Sequence, residues 1–180
     1  MRHLPNIITI GRIFLIWPIL SALLHGSYPL ALALFVITGV SDGLDGFLAK
    51  RFNWTSELGK LLDPMADKLL LVSVFVTTAW LGISPPWVTA VAVARDVLIA
   101  SGALTYRLWL GPLHGYPTIL SKLNTAAQLG YLLAVMMHAA TGFPTLTLLM
   151  VIAVVVCIMT VVSGAEYVMI FSRRAWAPAS

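Results

Sequence analysis

Five of the seven acidic residues of this chain lie within residues 41–68 of an otherwise apolar sequence. Asp42 and Asp45 are three residues apart, and Asp63 and Asp67 are four apart, so in helices each pair shares one face. Four carboxylates in a low-dielectric environment repel one another unless they are protonated or bound to cations. Hard divalent ions prefer oxygen ligands and commonly bridge to phosphate oxygens. The stretch therefore predicts a phosphoryl-transfer site with one or two metal ions.

Small and basic residues continue the same stretch. Gly46, Ala49 and Gly59 would let a substrate approach closely beside metal-bound phosphate, although small residues also serve to pack membrane helices. Lys50 and Arg51 either anchor the chain at a membrane interface or meet a phosphate group. The residues alone leave both interpretations open.

The rest of the chain must position these groups, and its composition is that of a membrane protein. Of its 180 residues, 59% are hydrophobic and 10% are charged, whereas soluble domains average about 45–50% and 25%. Breaks rich in Gly and Pro separate the apolar segments. With flanking residues included to reach a spanning length, the sequence predicts an all-α integral membrane protein, one domain over residues 1–180, with six transmembrane helices. The predicted spans are 4–24, 29–50, 63–81, 87–110, 119–140 and 146–171.

Most Lys and Arg residues fall near the two ends of the chain and in the second and fourth connections, whereas the connections at 25–29, 82–86 and 141–144 have no charged residue. By the positive-inside rule, both termini and the acidic stretch are expected on the cytoplasmic side. The net charge of +4 then suits anionic lipid headgroups, and no soluble basic domain is present to bind nucleic acid. We expect a multi-pass protein of the inner or plasma membrane if the source is bacterial.

A few charged and polar residues fall inside or beside the predicted spans. Arg95 and Asp96 lie in the fourth span, where a charged residue is a functional-site candidate. The alternative is an internal ion pair of Arg95 with Asp96 or Glu166 that holds helices together. Lys122 and Asn124 open the fifth span, where the alternative for Lys122 is an ordinary interfacial lysine.

The acidic stretch resembles the signature of the CDP-alcohol phosphatidyltransferases, Asp-x2-Asp-Gly-x2-Ala-Arg-x8-Gly-x3-Asp-x3-Asp. Lys50 stands at the Arg position, followed by Arg51, and the other seven positions match. These are Asp42, Asp45, Gly46, Ala49, Gly59, Asp63 and Asp67. The N-terminal sequence LPNIITIGR, which ends at Arg12, also resembles the opening of this family. Its Asn6, Thr9 and Arg12 share a helical face, which either lines the mouth of the site or simply caps and packs the first helix.

In the enzymes that this chain resembles, a CDP-linked lipid donates its phosphatidyl group to an alcohol hydroxyl, and CMP leaves. The resemblance implies two divalent ions, Mg²⁺ or Mn²⁺, held by Asp42, Asp45, Asp63 and Asp67, with Asp67 also acting as the general base. It implies that the CDP-lipid is bound by Asp42, Gly46, Ala49, Lys50, Arg51 and Gly59. The acceptor would be bound by Arg95, Lys122, Asn124 and Arg12, and the protein would be a homodimer.

Two branches of the family differ in their acceptor. Phosphatidylglycerol phosphate synthases, which use glycerol 3-phosphate, have sequences similar to Arg-Glu in the fourth span and Gly-Lys-x-Lys-Thr at the fifth. Here the chain has Arg95-Asp96 and the pentapeptide SKLNT at residues 121–125, which is closer to CMP-forming cardiolipin synthases. A phosphodiester carries less charge than a phosphomonoester, so it needs fewer cations.

We therefore expect an enzyme of phospholipid biosynthesis that joins CDP-diacylglycerol and phosphatidylglycerol into cardiolipin and releases CMP. The alternative within the family is transfer to glycerol 3-phosphate, giving phosphatidylglycerol phosphate. A metal-ion transporter would also contain intramembrane carboxylates, but its polar residues should lie at mid-membrane on several spans. A structural membrane protein would not need four aspartates.

Overall fold

The computed structural model describes the backbone of residues 4–52, 57–109 and 118–176, and the side chains of residues 11–41, 43, 65–105 and 118–172. The described backbone forms six helices, which confirms the predicted all-α class. They are α1 (Leu4–Leu24), α2 (Tyr28–Phe52), α3 (Glu57–Trp80), α4 (Pro86–Trp109), α5 (Ile119–Thr141) and α6 (Leu146–Trp176).

The largest difference from the predicted boundaries is at the start of α3. The helix begins at Glu57 rather than at Asp63, because the segment ELGKLL consists mostly of good helix formers. Gly59 and Asp63 therefore both lie inside the helix. Residues 53–56, between α2 and α3, are outside the described part of the chain.

Glycine residues end several of these helices, as their Gly- and Pro-rich sequences predict. Gly26 follows α1 with a φ of 72°, and Gly82 follows α3 with a φ of 70°. This left-handed conformation is strained for residues with a side chain and closes the last helical turn. After α1, the Ser27 amide donates to the Ala22 carbonyl at 2.8 Å. The chain can therefore reverse sharply and begin α2.

One compact unit comprises Met1–Pro85 and Leu132–Leu146, and in it α1 packs against both α2 and α3. Ile19 and Leu23 of α1 are fully buried, and so is Val74 of α3, with Leu70 one turn before it nearly so. Apolar residues at a spacing of four form one continuous helix face. These buried residues lie in the C-terminal halves of α1 and α3, two helices that pack against each other.

A second compact unit comprises Pro86–Tyr131 and Thr147–Ser180, with α4, the first part of α5 and most of α6. Asn124, Gln128 and Tyr131 of α5 are buried at helical spacing. A Cβ atom at Gly102 of α4 would lie 2.8 Å from the ring of Phe171 in α6. The absence of a side chain at residue 102 thus lets α4 and α6 approach closely.

Two described helical segments are long and apolar enough to cross a membrane, Pro86–Thr105 and Leu146–Ser172. Gly11–Leu24 and Tyr28–Ser41 are apolar but shorter. Large apolar side chains such as Trp17 and Trp80 are about four-fifths exposed, as expected for helices whose outer faces contact lipid. Six spans, their orientation and a single domain over residues 1–180 stay predictions.

Candidate active site

The predicted metal ligands lie on two helices of the same compact unit. Positions 42 and 45 fall within α2, and positions 63 and 67 fall within α3. The side chains of Asp42, Asp45 and Asp63 are outside the described residues, and so are the predicted CDP-lipid residues from Gly46 to Gly59. Among the described side chains, no three His, Cys, Asp or Glu residues lie together. Asp67 is therefore the member of the quartet whose surroundings can be described.

Asp67 forms an ion pair with Arg12, in which Nη1 of the arginine donates to Oδ1 of the carboxylate. The Arg12 side chain is 4% exposed and the Asp67 side chain 43% exposed. A buried guanidinium beside a partly exposed carboxylate fixes the orientation of that carboxylate, because the charge of Arg12 requires a partner. The structure thus brings together the predicted general base and one predicted acceptor ligand, from helices α1 and α3.

The chemistry of the quartet fits a divalent cation. All four side chains are carboxylates, the oxygen ligands that Mg²⁺ and Mn²⁺ prefer. The helical backbone keeps residues 42 and 45 three apart and residues 63 and 67 four apart, so each helix can present two carboxylates on one face.

Arg95 is the centre of a polar cluster in the second unit. Its Nη1 donates to Oδ1 of Asp96 at 2.8 Å, and its Nη2 donates to Oγ of Ser121 at 2.6 Å and of Ser163 at 2.9 Å. The ring of Tyr167 lies 6.0 Å from the guanidinium carbon. Arg95 is only 6% exposed, so these contacts compensate for removing its charge from water. The cluster connects α4, α5 and α6.

Glu166 does not pair with Arg95, contrary to one of the alternatives from the sequence. Its Oε2 accepts a hydrogen bond from Oγ1 of Thr118 at 2.7 Å, and Oγ1 of Thr118 in turn accepts from the Ser121 amide at 3.1 Å. Thr118 therefore caps the N-terminus of α5. Because Ser121 also contacts Arg95, the Arg95 cluster lies at this end of α5.

The other two predicted acceptor residues lie in different environments. Asn124 is fully buried, and its Oδ1 accepts from Oγ1 of Thr160 at 2.9 Å, while Gln128 contacts the same hydroxyl at 3.4 Å. Lys122 is exposed. Residues 122 and 124 are two apart on α5, so they lie on nearly opposite sides of the helix. The structure places neither of them in direct contact with Arg95.

The sequence interpretation did not single out the hydroxyl residues that contact Arg95 and its neighbours. A usable signal was nevertheless present, because polar residues recur on α5 and α6 at a spacing of three or four. They are Thr118 at the N-cap of α5, Ser121, Asn124 and Gln128 on α5, and Thr160, Ser163 and Glu166 on α6. In an apolar chain, such stripes indicate helix faces that hydrogen-bond to each other.

The model of the CDP-alcohol phosphatidyltransferase family matches residues 2–174. The chain therefore belongs to the CDP-alcohol phosphatidyltransferases, a family of integral membrane enzymes.

Relatives from both branches of the family are similar to this chain. The CMP-forming cardiolipin synthase of Streptomyces coelicolor is 40% identical over 122 residues, 63% of this chain and 54% of that protein. The human CMP-forming cardiolipin synthase is 32% identical over 143 residues, 70% of this chain and 47% of that protein. The CDP-diacylglycerol–glycerol-3-phosphate 3-phosphatidyltransferase of Bacillus subtilis is 31% identical over 187 residues, 93% of this chain and 94% of that protein. The chain spans about half the length of the cardiolipin synthases that it matches.

Proposed function

We propose that the protein transfers the phosphatidyl group of CDP-diacylglycerol to a hydroxyl of phosphatidylglycerol, forming cardiolipin and releasing CMP. The transfer of a phosphatidyl group is supported by the family match over residues 2–174. The choice of acceptor is supported by the sequence and the surroundings of residues 95 and 121–125.

The observation that supports the choice of acceptor is the small amount of positive charge among the described residues around Arg95. Its guanidinium is paired with Asp96, and the position that would hold a second lysine is Asn124, a neutral and fully buried residue bonded to Thr160. Glycerol 3-phosphate carries nearly two negative charges on its phosphate, whereas the phosphodiester of phosphatidylglycerol carries one. Because uncompensated charge in a buried site is costly, the described surroundings favour the phosphodiester.

The donor would bind at the acidic stretch of α2 and α3. Asp42, Asp45, Asp63 and Asp67 would hold one or two divalent ions, Mg²⁺ or Mn²⁺, which when bound neutralise the pyrophosphate and stabilise the CMP leaving group. The small positions Gly46, Ala49 and Gly59 leave room for the cytidine diphosphate, and Lys50 or Arg51 pairs with its phosphates.

Asp67 is proposed as the general base. A carboxylate can accept the proton of the acceptor hydroxyl when the two oxygens are within about 2.6–3.2 Å in the productive complex. Arg12 holds one oxygen of this carboxylate, so its proposed role is to orient the base in addition to the acceptor binding that the sequence suggested. The ion pair between Arg12 of α1 and Asp67 of α3 supports a fixed orientation of the Asp67 carboxylate.

Transfer to glycerol 3-phosphate is the second candidate, favoured by the similarity to the Bacillus subtilis enzyme along nearly the whole of both chains. The family resemblance also supports a homodimer, and the positive-inside pattern supports a cytoplasmic active site in a bacterial inner or plasma membrane. These finer points belong to the same proposal.

An assay of CMP release tests the enzyme class against a metal-ion transporter or a structural protein. The purified protein in phosphatidylcholine vesicles should release CMP from CDP-diacylglycerol when phosphatidylglycerol and Mg²⁺ or Mn²⁺ are present. Chelation with EDTA should abolish release, and excess Mg²⁺ should restore it, because the proposed carboxylates cannot stabilise the leaving group alone. Flux of Mg²⁺ or Mn²⁺ into the vesicles without CMP release would favour a transporter.

A further inference from the structure

A groove with a volume of about 630 Å³ lies between α4 and α6 in the second unit. Ligand-binding clefts commonly enclose about 300–1,000 Å³, so its size is suitable for part of a small molecule. Of its lining residues, only Arg95 and Thr160 have polar side chains, and the others are aliphatic or glycine. The aliphatic walls include Val91, Leu98, Val161, Val168 and Met169.

Arg95 is the charged residue among those that line this groove. Its two Nη atoms have the three partners described above, but its buried Nε has no hydrogen-bond partner. A Cβ atom at Gly164, which also lines the groove, would lie 3.6 Å from Cγ of Arg95. The groove therefore combines apolar walls with a buried arginine that retains a donor, a combination that suits an anionic headgroup attached to an alkyl chain.

We propose that this groove holds an acyl chain of the acceptor lipid, with the phosphodiester of phosphatidylglycerol at Arg95. The inference rests on the proposed function and extends it, because it gives a physical reason for a lipid acceptor. Glycerol 3-phosphate has no alkyl chain and would leave the apolar walls without a ligand. The donor signature lies on α2 and α3, whereas the groove is formed by α4 and α6, so the groove is assigned to the acceptor and not to CDP-diacylglycerol.

Two neighbouring valines provide a matched pair of variants. Val161 lines the groove and is 58% exposed, whereas Val162 does not line it and is 50% exposed. Val161→Trp should fill part of the groove, and Val162→Trp should place the same ring on a face of α6 outside it. Since both positions are exposed, neither substitution should prevent folding, and thermal unfolding in detergent checks this.

Val161→Trp should raise the KM for dioleoyl phosphatidylglycerol about tenfold, as expected when apolar contacts in a pocket are lost. It should leave the KM for CDP-diacylglycerol unchanged, and Val162→Trp should behave like the wild type toward both lipids. Equal kinetics of the two variants, with cardiolipin still formed by the wild type, would overturn the groove assignment alone. A raised KM for CDP-diacylglycerol in Val161→Trp would overturn it too, since the groove would then hold the donor. Formation of phosphatidylglycerol phosphate only, by the wild type, would overturn the proposed function and this inference together.

Photo-crosslinking gives a readout that does not depend on turnover. With p-benzoylphenylalanine at position 161, tritiated phosphatidylglycerol in phosphatidylcholine vesicles should crosslink, and unlabelled phosphatidylglycerol should reduce the labelling at a concentration near the KM. The same group at position 162 should label lipids in proportion to the composition of the vesicle. Identical, composition-dependent labelling at both positions would contradict a specific acyl-chain site.

Discussion

Asp67→Asn is expected to abolish transfer while CDP-diacylglycerol still binds. The substitution keeps the size of the side chain but removes the oxygen that would accept the proton of the acceptor hydroxyl. Loss of a general base typically lowers kcat by about 10²–10⁴-fold. The measurement is CMP release under saturating lipids, together with the Kd for CDP-diacylglycerol. Full activity of the variant would eliminate Asp67 as the base.

The ion pair with Arg12 requires a control, because Asp67→Asn also removes the charge that pairs with this buried guanidinium. Arg12→Gln breaks the same ion pair but leaves the carboxylate in place. If Asp67 acts as the base, Arg12→Gln should retain at least about ten times the activity of Asp67→Asn, since misorientation of a base costs less than its removal. Equal losses in both variants, with equal decreases in the unfolding temperature, would indicate that the pair serves only to join α1 and α3.

Arg95→Ala is expected to have the second large effect, on both stability and use of the acceptor. Removing the guanidinium breaks its ion pair with Asp96, whose side chain is only 14% exposed, and breaking a buried ion pair costs about 3–5 kcal/mol of stability. It also removes the proposed ligand of the acceptor phosphate. Transfer to phosphatidylglycerol should therefore be nearly lost, and the unfolding temperature in detergent should fall.

Arg95→Lys and Ser163→Ala separate binding from stability. Lysine keeps the charge but cannot reproduce the planar, forked contacts of arginine, whereas Ser163→Ala removes one neutral partner at 2.9 Å from the guanidinium. If Arg95 binds the acceptor, Arg95→Lys should raise the KM for phosphatidylglycerol and leave the KM for CDP-diacylglycerol unchanged, and Ser163→Ala should mainly lower stability. If Arg95→Lys left both KM values unchanged, Arg95 would serve only to hold α4, α5 and α6 together.

Much of the fold follows from simple features of the sequence. Apolar segments predict the helices, and the glycines at 26, 82 and 142 predict their ends, since each of them adopts the positive φ that closes a helix. Helix α3 begins six residues before the predicted span of 63–81, because the segment before Asp63 is helix-forming but less apolar. Hydropathy identifies the apolar length of a helix better than its full hydrogen-bonded length.

The partners of the site residues were harder to predict. Arg12 and Asp67 are 55 positions apart, and they meet only because α1 packs on α3. A helix that is apolar on all sides does not reveal in its sequence which face contacts which neighbour. The charge of Arg95 within a predicted span made it a candidate site residue. Ser121 and Ser163 are common residue types, and only the packing of α4, α5 and α6 identifies them as its hydrogen-bond partners.

The most direct test of the central claim supplies the wild-type protein with CDP-diacylglycerol, a divalent ion, and phosphatidylglycerol and glycerol 3-phosphate together. Separation of the lipid products by mass spectrometry identifies the acceptor. Because the described surroundings of Arg95 contain one cation paired with one acid, the account predicts cardiolipin as the main product. Phosphatidylglycerol phosphate as the only product would contradict it.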